Sequence, residues 1–85
     1  MAPLHPAPAV EIVRNPHVLG GEPTVEGRRV PVRSIVLMER YEQDLDYVAA
    51  AYLLTREVVE AALRFYDQNR TEIDQYMADN DDPDA

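Results

Sequence analysis

Cysteine and lysine are both missing from this 85-residue sequence, and each absence excludes classes of function. Without cysteine the chain has no disulfide, no thiolate zinc site and no thiol nucleophile, which fits a reducing compartment, so we expect a cytoplasmic protein. All eight basic residues are arginine, so the phosphate-binding lysine of a P-loop is missing as well. No apolar run approaches the length of a membrane-spanning helix, and the N-terminus does not have the pattern of a signal peptide.

Side chains suited to catalysis or metal binding are also scarce. The single serine, Ser34, has no histidine near it in sequence, and the two histidines, His5 and His17, do not have metal-ligand spacing. His17 is better explained as a turn residue than as a general base. The acidic C-terminal residues lack the glycine and the closing glutamate of a calcium loop. We therefore expect no catalytic residue, no metal and no cofactor.

Charge is divided unevenly along the chain. The formal net charge is −8 at pH 7, so the chain as a whole repels nucleic acids and acidic membranes. Residues 1–40 carry five arginines against four acidic residues, whereas residues 41–85 carry three arginines against twelve acidic residues. Either the acidic half is ordinary solvated helix surface, or it meets a basic partner while the first half presents an arginine cluster.

The length allows one small domain, which we divide into three segments. We expect an arm rich in proline and alanine over residues 1–9, a single domain over 10–77 and an acidic tail over 78–85. A domain of this size buries only about 60% of its unfolded surface, so a partner or a second copy would stabilise it. Strands are predicted around residues 10–14 and 28–31, pairing either within one chain or between two.

Three helices are predicted after the ribbon. The helical period begins at Val32, while Asp44 and Thr55 are placed to cap the second and third helices. The predicted apolar side of the second helix consists of Leu45, Tyr47, Val48, Ala51 and Tyr52. The fold class is therefore mainly α, with a small N-terminal β ribbon and a three-helix, helix-turn-helix-like domain of the winged-helix or homeodomain-like kind.

The last two helices are expected to meet at a buried corner formed by Leu53 and Leu54. The third helix should extend to about Met77, with a possible break near Asn69. Most of the six aromatic side chains should lie in the core. Tyr76, Ile73 and Met77 form an apolar stripe that no remaining part of the chain is expected to cover, which suggests a groove-binding segment.

Four arginines are candidates for phosphate contacts with DNA. Arg28, Arg29 and Arg33 lie within six residues, and Arg56 stands at the start of the third helix. Glu57 and Glu60 oppose deep insertion of that helix into DNA. The alternative is that these arginines form salt bridges with the acidic half of the same chain. A twofold dimer would double the cluster and favour DNA binding.

Two blocks of the sequence resemble one known family. Residues 15–32 contain Asn-Pro, then Gly-Gly-Glu-Pro, then Gly-Arg-Arg-Val-Pro-Val, and this pattern resembles the signature of the domain-of-unknown-function 433 family. Residues 52–63, continuing to Asp74, are similar to its second block, so the resemblance covers about residues 10–76. Arg28 stands where the family commonly has threonine, so this arginine must either leave the turn held differently or point outward.

This resemblance implies a helix-turn-helix-like fold and the role of an antitoxin in a two-component toxin–antitoxin system. The toxin of such pairs is typically a ribonuclease resembling the PIN domain, and such antitoxins often bind their own operator DNA as dimers. Our leading hypothesis is thus a homodimeric antitoxin that neutralises a PIN-like ribonuclease by direct binding and also binds its operator. A stand-alone DNA-binding transcriptional regulator and a purely structural interaction module are the alternatives.

The toxin contacts are expected in the C-terminal part of the chain. Acidic residues, among them Asp74, would direct this segment to a basic RNA-binding surface. Alternatively, Arg64 or Arg70 would enter a carboxylate-lined metal site of the toxin. The apolar anchors would be Tyr66, Ile73, Tyr76 and Met77.

Overall fold

The structure is a computed structural model that describes residues 12–80. The elements are strand β1 (Ile12–Val13), a 3-10 turn (Leu19–Gly21), strand β2 (Thr24–Val25) and helices α1 (Val32–Glu42), α2 (Leu45–Tyr52), α3 (Arg56–Gln68) and α4 (Arg70–Asn80). The mainly helical fold class and the small N-terminal ribbon are confirmed. The predicted arm over residues 1–9 lies outside the described residues, and α4 includes the first part of the predicted tail.

The ribbon pairs different residues from those predicted. β1 and β2 are antiparallel, with Ile12 opposite Val25, and residues 28–31 contribute only an isolated bridge from Pro31 to Thr24. The chain turns back at Gly27, where φ is +78°, and the amide of Val25 donates to the Val30 carbonyl at 2.9 Å. Glycine tolerates that conformation without steric cost, so the second strand ends before the turn. The prediction of a strand over 28–31 was wrong because Pro31 has no amide to continue this pairing.

Local signals place the helices where the sequence predicts them. α1 begins at Val32 directly after Pro31. The Asp44 carboxylate accepts hydrogen bonds from the first turn of α2, and the Thr55 hydroxyl accepts one from the amide of Val58 in α3. The predicted break at Asn69 is confirmed, since the chain leaves helical geometry there and α4 follows at once.

Helix α1 lies at the centre of the fold, because it contacts each of the other three helices. The core is formed by residues on one face of each helix, with Ile35 of α1, Val48 of α2, Val59 of α3 and Ile73 of α4 fully buried. The ribbon adds Val25 to the same cluster. Four helices and a ribbon thus share one hydrophobic core, and the ribbon is held by that contact.

Three predictions about apolar residues were wrong. Leu53 is 78% exposed, because it adopts the left-handed conformation and turns its side chain outward, while Leu54 packs against the core. Tyr47 and Ala51 lie on the outer side of α2, opposite the buried Val48. Tyr41, one of the six aromatic side chains of which most were expected in the core, is 87% exposed at the end of α1.

Candidate interaction surface

Arg28 closes the C-terminal end of α2. Its Nη2 donates hydrogen bonds to the carbonyl oxygens of Tyr52 and Leu53, at 3.1 and 2.8 Å. These carbonyls have no partner within the helix, and a cation at a helix C-terminus also interacts favourably with the helix dipole. Arg28 is exposed, but its guanidinium does not project freely into solvent: it joins the turn after β2 to the corner between α2 and α3.

Arg33 is held by a buried carboxylate. Its Nε lies 2.5 Å from Oε2 of Glu22, a residue that is only 3% exposed. Both atoms are inaccessible to solvent and have no other hydrogen-bond partner, so the attraction between the two charges compensates their burial. Arg33 therefore fixes the loop before β2 against α1.

Arg56 is surrounded by acidic side chains. Its Nε lies 3.2 Å from the Glu60 carboxylate, and its Nη1 lies 3.6 Å from that of Asp46. Of the four arginines predicted to bind DNA, Arg29 alone has no ion pair or hydrogen bond to another described residue. The structure brings Arg28 and Arg29 together beside a surface cleft of about 470 Å³, but Arg33 and Arg56 do not line that cleft.

The apolar stripe predicted for a partner belongs to the core. Ile73 is 0% exposed and Met77 is 8% exposed. The prediction of an uncovered stripe was wrong because the chain changes direction at Asn69, so α4 folds back and packs on α1. Tyr76 is half-buried. These residues hold α4 in the domain, and Ile73 and Met77 are not available as anchors for a toxin.

Tyr66 lies at the junction of three helices. Its hydroxyl accepts a hydrogen bond of 2.7 Å from Arg40 and donates one of 2.8 Å to Asp74. The guanidinium carbons of Arg40 and Arg70 lie 5.5 and 5.1 Å from the ring centroid, within the range of cation–π attraction. This buried tyrosine therefore stabilises the contact of α3 with α1 and α4, and it is a structural residue.

The remaining predicted toxin contacts stay on the surface. Arg70 pairs with Asp67 at 2.7 Å, and this hydrogen bond, with the attraction between the charges, raises the arginine pKa. Arg64 is exposed on α3 and makes no ion pair to any residue in the described range 12–80. Asp74 is exposed apart from its bond to the Tyr66 hydroxyl.

One ion pair was not found from the sequence. Arg14 binds both carboxylate oxygens of Glu72, at 2.8 and 2.6 Å, across 58 positions of the chain. The hydrogen bonds from Arg14 lower the pKa of Glu72, against the opposing effect of burial. Arg14 also lies 5.1 Å from the centroid of the Phe65 ring. No short-range sequence pattern predicts this contact, which joins the end of β1 to α4.

The outer face of α2 leaves several apolar side chains uncovered. We define this α2 face as Tyr47, Ala50, Ala51 and Leu53, all of which are exposed. The first three recur at the spacing of one helix face, and the amide of Leu53 donates to the Ala50 carbonyl at 3.2 Å. The helical period of the sequence predicts an apolar side for α2, but it placed Tyr47 and Ala51 on the buried side.

Acidic side chains surround the α2 face. Asp44 caps the start of α2, Asp46 lies in its first turn and Glu57 lies in the first turn of α3, and all three are exposed. Arg56 is the only basic residue within α2 or the first turn of α3, and it is shared between Asp46 and Glu60. Arg28 adds a second basic group, at the Leu53 end of the patch. Four carboxylates, counting Glu60, thus stand against two guanidinium groups, so the α2 face is an apolar patch whose rim has a net negative charge.

Residues 12–80 contain no group of three histidine, cysteine or acidic side chains that could hold a metal ion. No helix of residues 12–80 is long and apolar enough to cross a membrane.

These features define a small, mainly helical domain of four helices with an N-terminal two-stranded β ribbon. The chain belongs to the DUF433 family, whose members are described as proteins of unknown function and whose family model matches residues 12–66. A crystal structure of a DUF433 member from Anabaena variabilis is similar, with 31% sequence identity and a TM-score of 0.70 over 81% of this chain and 67% of that one. No curated protein matches the chain.

Proposed function

We propose that this protein is a cytoplasmic antitoxin that binds and neutralises a PIN-like ribonuclease toxin. The observation that supports a protein partner is that most of the arginines contact other groups of the same chain. Six of the eight, including Arg28, Arg33 and Arg56 of the predicted DNA-binding set, contact acceptor groups of the same chain. The exposed surface of the helical part is left acidic, and such a surface suits a basic protein better than a nucleic acid.

Two of the predicted C-terminal toxin contacts, Ile73 and Met77, are buried in the core, so we leave them out of the proposed contact. Arg64, Arg70, Asp74 and Tyr76 keep exposed or half-exposed positions, so they remain candidates for contact. A variant ending at Asn69 does not test them, because it would also remove core residues of α4. The substitutions Asp74→Asn and Arg64→Ala test the two predicted modes, acidic steering and arginine insertion, without opening the core.

The direct experiment uses the full chain and the product of the adjacent reading frame. We expect the two to form a complex by calorimetry and the chain to suppress cleavage of a labelled RNA by that product. Heat-denatured chain is the control for carrier effects. If the adjacent product cleaves RNA equally well at a saturating concentration of the folded chain, the antitoxin function is refuted.

Operator binding is a second candidate, because Arg28 and Arg29 lie together at the edge of one cleft and Arg29 has no ion pair to another described residue. A homodimer would present this pair twice. We expect binding to the upstream DNA in a gel-shift assay to weaken steeply with salt, since phosphate contacts release counterions. Arg29→Ala should weaken it, and Arg64→Ala, which also removes one exposed arginine, is the matched control. Salt-independent binding would contradict this mode.

A further inference from the structure

We propose that the α2 face is the docking surface for the toxin and that Leu53 is its anchor. The partner surface would be an apolar pocket bordered by arginine or lysine side chains. This inference rests on the proposed function and names where on the chain that function resides.

Leu53 is a leucine in a position that favours another residue. Its φ is +57°, the left-handed conformation that ends many helices and in which glycine or asparagine is preferred. Its side chain is 78% exposed, so burial within the domain does not account for an apolar residue. Neither the backbone nor solvation explains leucine here, whereas insertion into a partner does.

The corner fixes the backbone of Leu53. The amide of Leu53 donates to the Ala50 carbonyl at 3.2 Å, and the amide of Leu54 donates to the Ala49 carbonyl at 2.8 Å, which closes the end of α2. The carbonyl oxygen of Leu53 accepts the hydrogen bond from Arg28. An anchor fixed before binding loses less conformational entropy when it is buried, which increases affinity.

The rest of the α2 face suits close packing against a partner. Ala50 and Ala51 are small, so another backbone can approach α2 closely, and Tyr47 offers a large half-exposed ring of the type enriched in interfaces. Small residues flanked by a tyrosine and a leucine give a shallow ridge with a projecting anchor at one end.

The acidic rim decides between a second copy of this chain and another protein. If two α2 faces met, two rims of net negative charge would face each other, in spite of Arg28 and Arg56. Like charges brought together at an interface are unfavourable. A partner with arginine or lysine around an apolar pocket is complementary to the rim. A ribonuclease that holds RNA phosphates is expected to have such basic side chains.

The test compares two leucines in the same backbone conformation. Leu19 also has positive φ, +51°, and is 44% exposed, but it lies in the 3-10 turn and outside the α2 face. Leu53→Asn and Leu19→Asn should both keep the fold, because asparagine tolerates the left-handed region. We expect Leu53→Asn to weaken binding of the adjacent-frame ribonuclease about 10- to 100-fold, as for a central interface anchor, and Leu19→Asn to change it less than about twofold.

A second pair of variants tests the face without touching the corner. Ala51→Arg places a long charged side chain on the α2 face and should reduce binding more than about tenfold. His17→Arg places the same side chain at an exposed position in the turn after β1, outside both candidate surfaces, and should not. Circular dichroism melting checks that each variant is folded. Rim variants such as Glu57→Gln should slow association rather than speed dissociation.

The outcomes separate this inference from the proposed function. If the wild-type chain does not bind the ribonuclease, the antitoxin function fails and the docking surface fails with it. If the wild-type chain binds and Leu53→Asn binds equally well, the docking surface alone is refuted. Loss of self-association or of DNA binding by Leu53→Asn, with ribonuclease binding unchanged, would also refute it and assign the face to a second copy or to DNA.

Discussion

Helix α4 is part of the folding unit, and truncating its central side chain should show this directly. Ile73 is fully buried, so Ile73→Ala removes apolar atoms from the core and leaves a cavity. Such substitutions cost about 2–5 kcal/mol. An 85-residue chain is stable by roughly 4–13 kcal/mol, so this one change removes a large share of the total. The melting temperature should fall by roughly 4–8 °C for each kcal/mol lost.

The assay is urea denaturation followed by circular dichroism, with thermal melting as a second measure. Thr71→Ala is the matched control, because Thr71 is exposed on the same helix and its substitution should change stability by less than about 0.5 kcal/mol. If Ile73→Ala is as stable as Thr71→Ala, then α4 does not pack as the structure shows. The prediction from the sequence, an apolar stripe on α4 that the rest of the chain does not cover, would then describe the protein better.

The same reasoning predicts the result of ending the chain at Asn69. That truncation removes the buried Ile73 and Met77, together with the Glu72 carboxylate that binds Arg14. Two core side chains at about 2–5 kcal/mol each approach the whole stability of a small domain. We expect the shortened chain to lose cooperative unfolding, and a sharp transition near that of the full chain would refute the expectation.

Three further substitutions have defined outcomes. Arg33→Met leaves the Glu22 carboxylate buried without its partner and should cost about 2–4 kcal/mol in urea denaturation, and an unchanged midpoint would show that the pair is not buried. Glu72→Gln should reduce stability by less than about 1 kcal/mol, because the pair with Arg14 is partly exposed. Since the folded pKa of Glu72 is lowered, the difference from wild type should be complete above the ordinary glutamate pKa and vanish as pH falls through the lowered value, and a difference that grows in acid would contradict this. Thr55→Ala should cost about 1 kcal/mol by loss of the cap on α3, and no loss of helical stability would refute that role.

Features set by neighbouring residues could be predicted from the sequence. The caps at Asp44 and Thr55, the start of α1 and the break at Asn69 each depend on a few adjacent residues, and the structure confirms all of them. The family was likewise recognisable from two local blocks. Short-range hydrogen bonds and steric restrictions determine these features, so no knowledge of the tertiary structure was needed.

Features that depend on distant contacts could not be predicted. The period of α4 places Ile73 and Met77 on one side, but it does not say that this side faces α1 after the chain turns at Asn69. The orientation of Leu53 depends on one backbone torsion, which apolar patterning does not reveal. At the candidate sites, the sequence shows the arginine cluster. The contact of Arg28 with the end of α2 could not be predicted, because it depends on where the fold places the α2 carbonyls.

The contacts made by the arginines explain why lysine would not serve at the same positions. Arg14 binds both oxygens of the Glu72 carboxylate, Arg28 binds two carbonyl oxygens at the end of α2, and Arg40 combines a hydrogen bond to Tyr66 with stacking over its ring. A planar guanidinium with five donors supplies both the paired hydrogen bonds and the flat face, whereas an ammonium supplies neither in the same geometry. The arginines therefore join elements that a small core alone would hold weakly. Residues 12–80 carry twelve acidic residues against the eight arginines, and this excess sets the net negative charge that a partner meets.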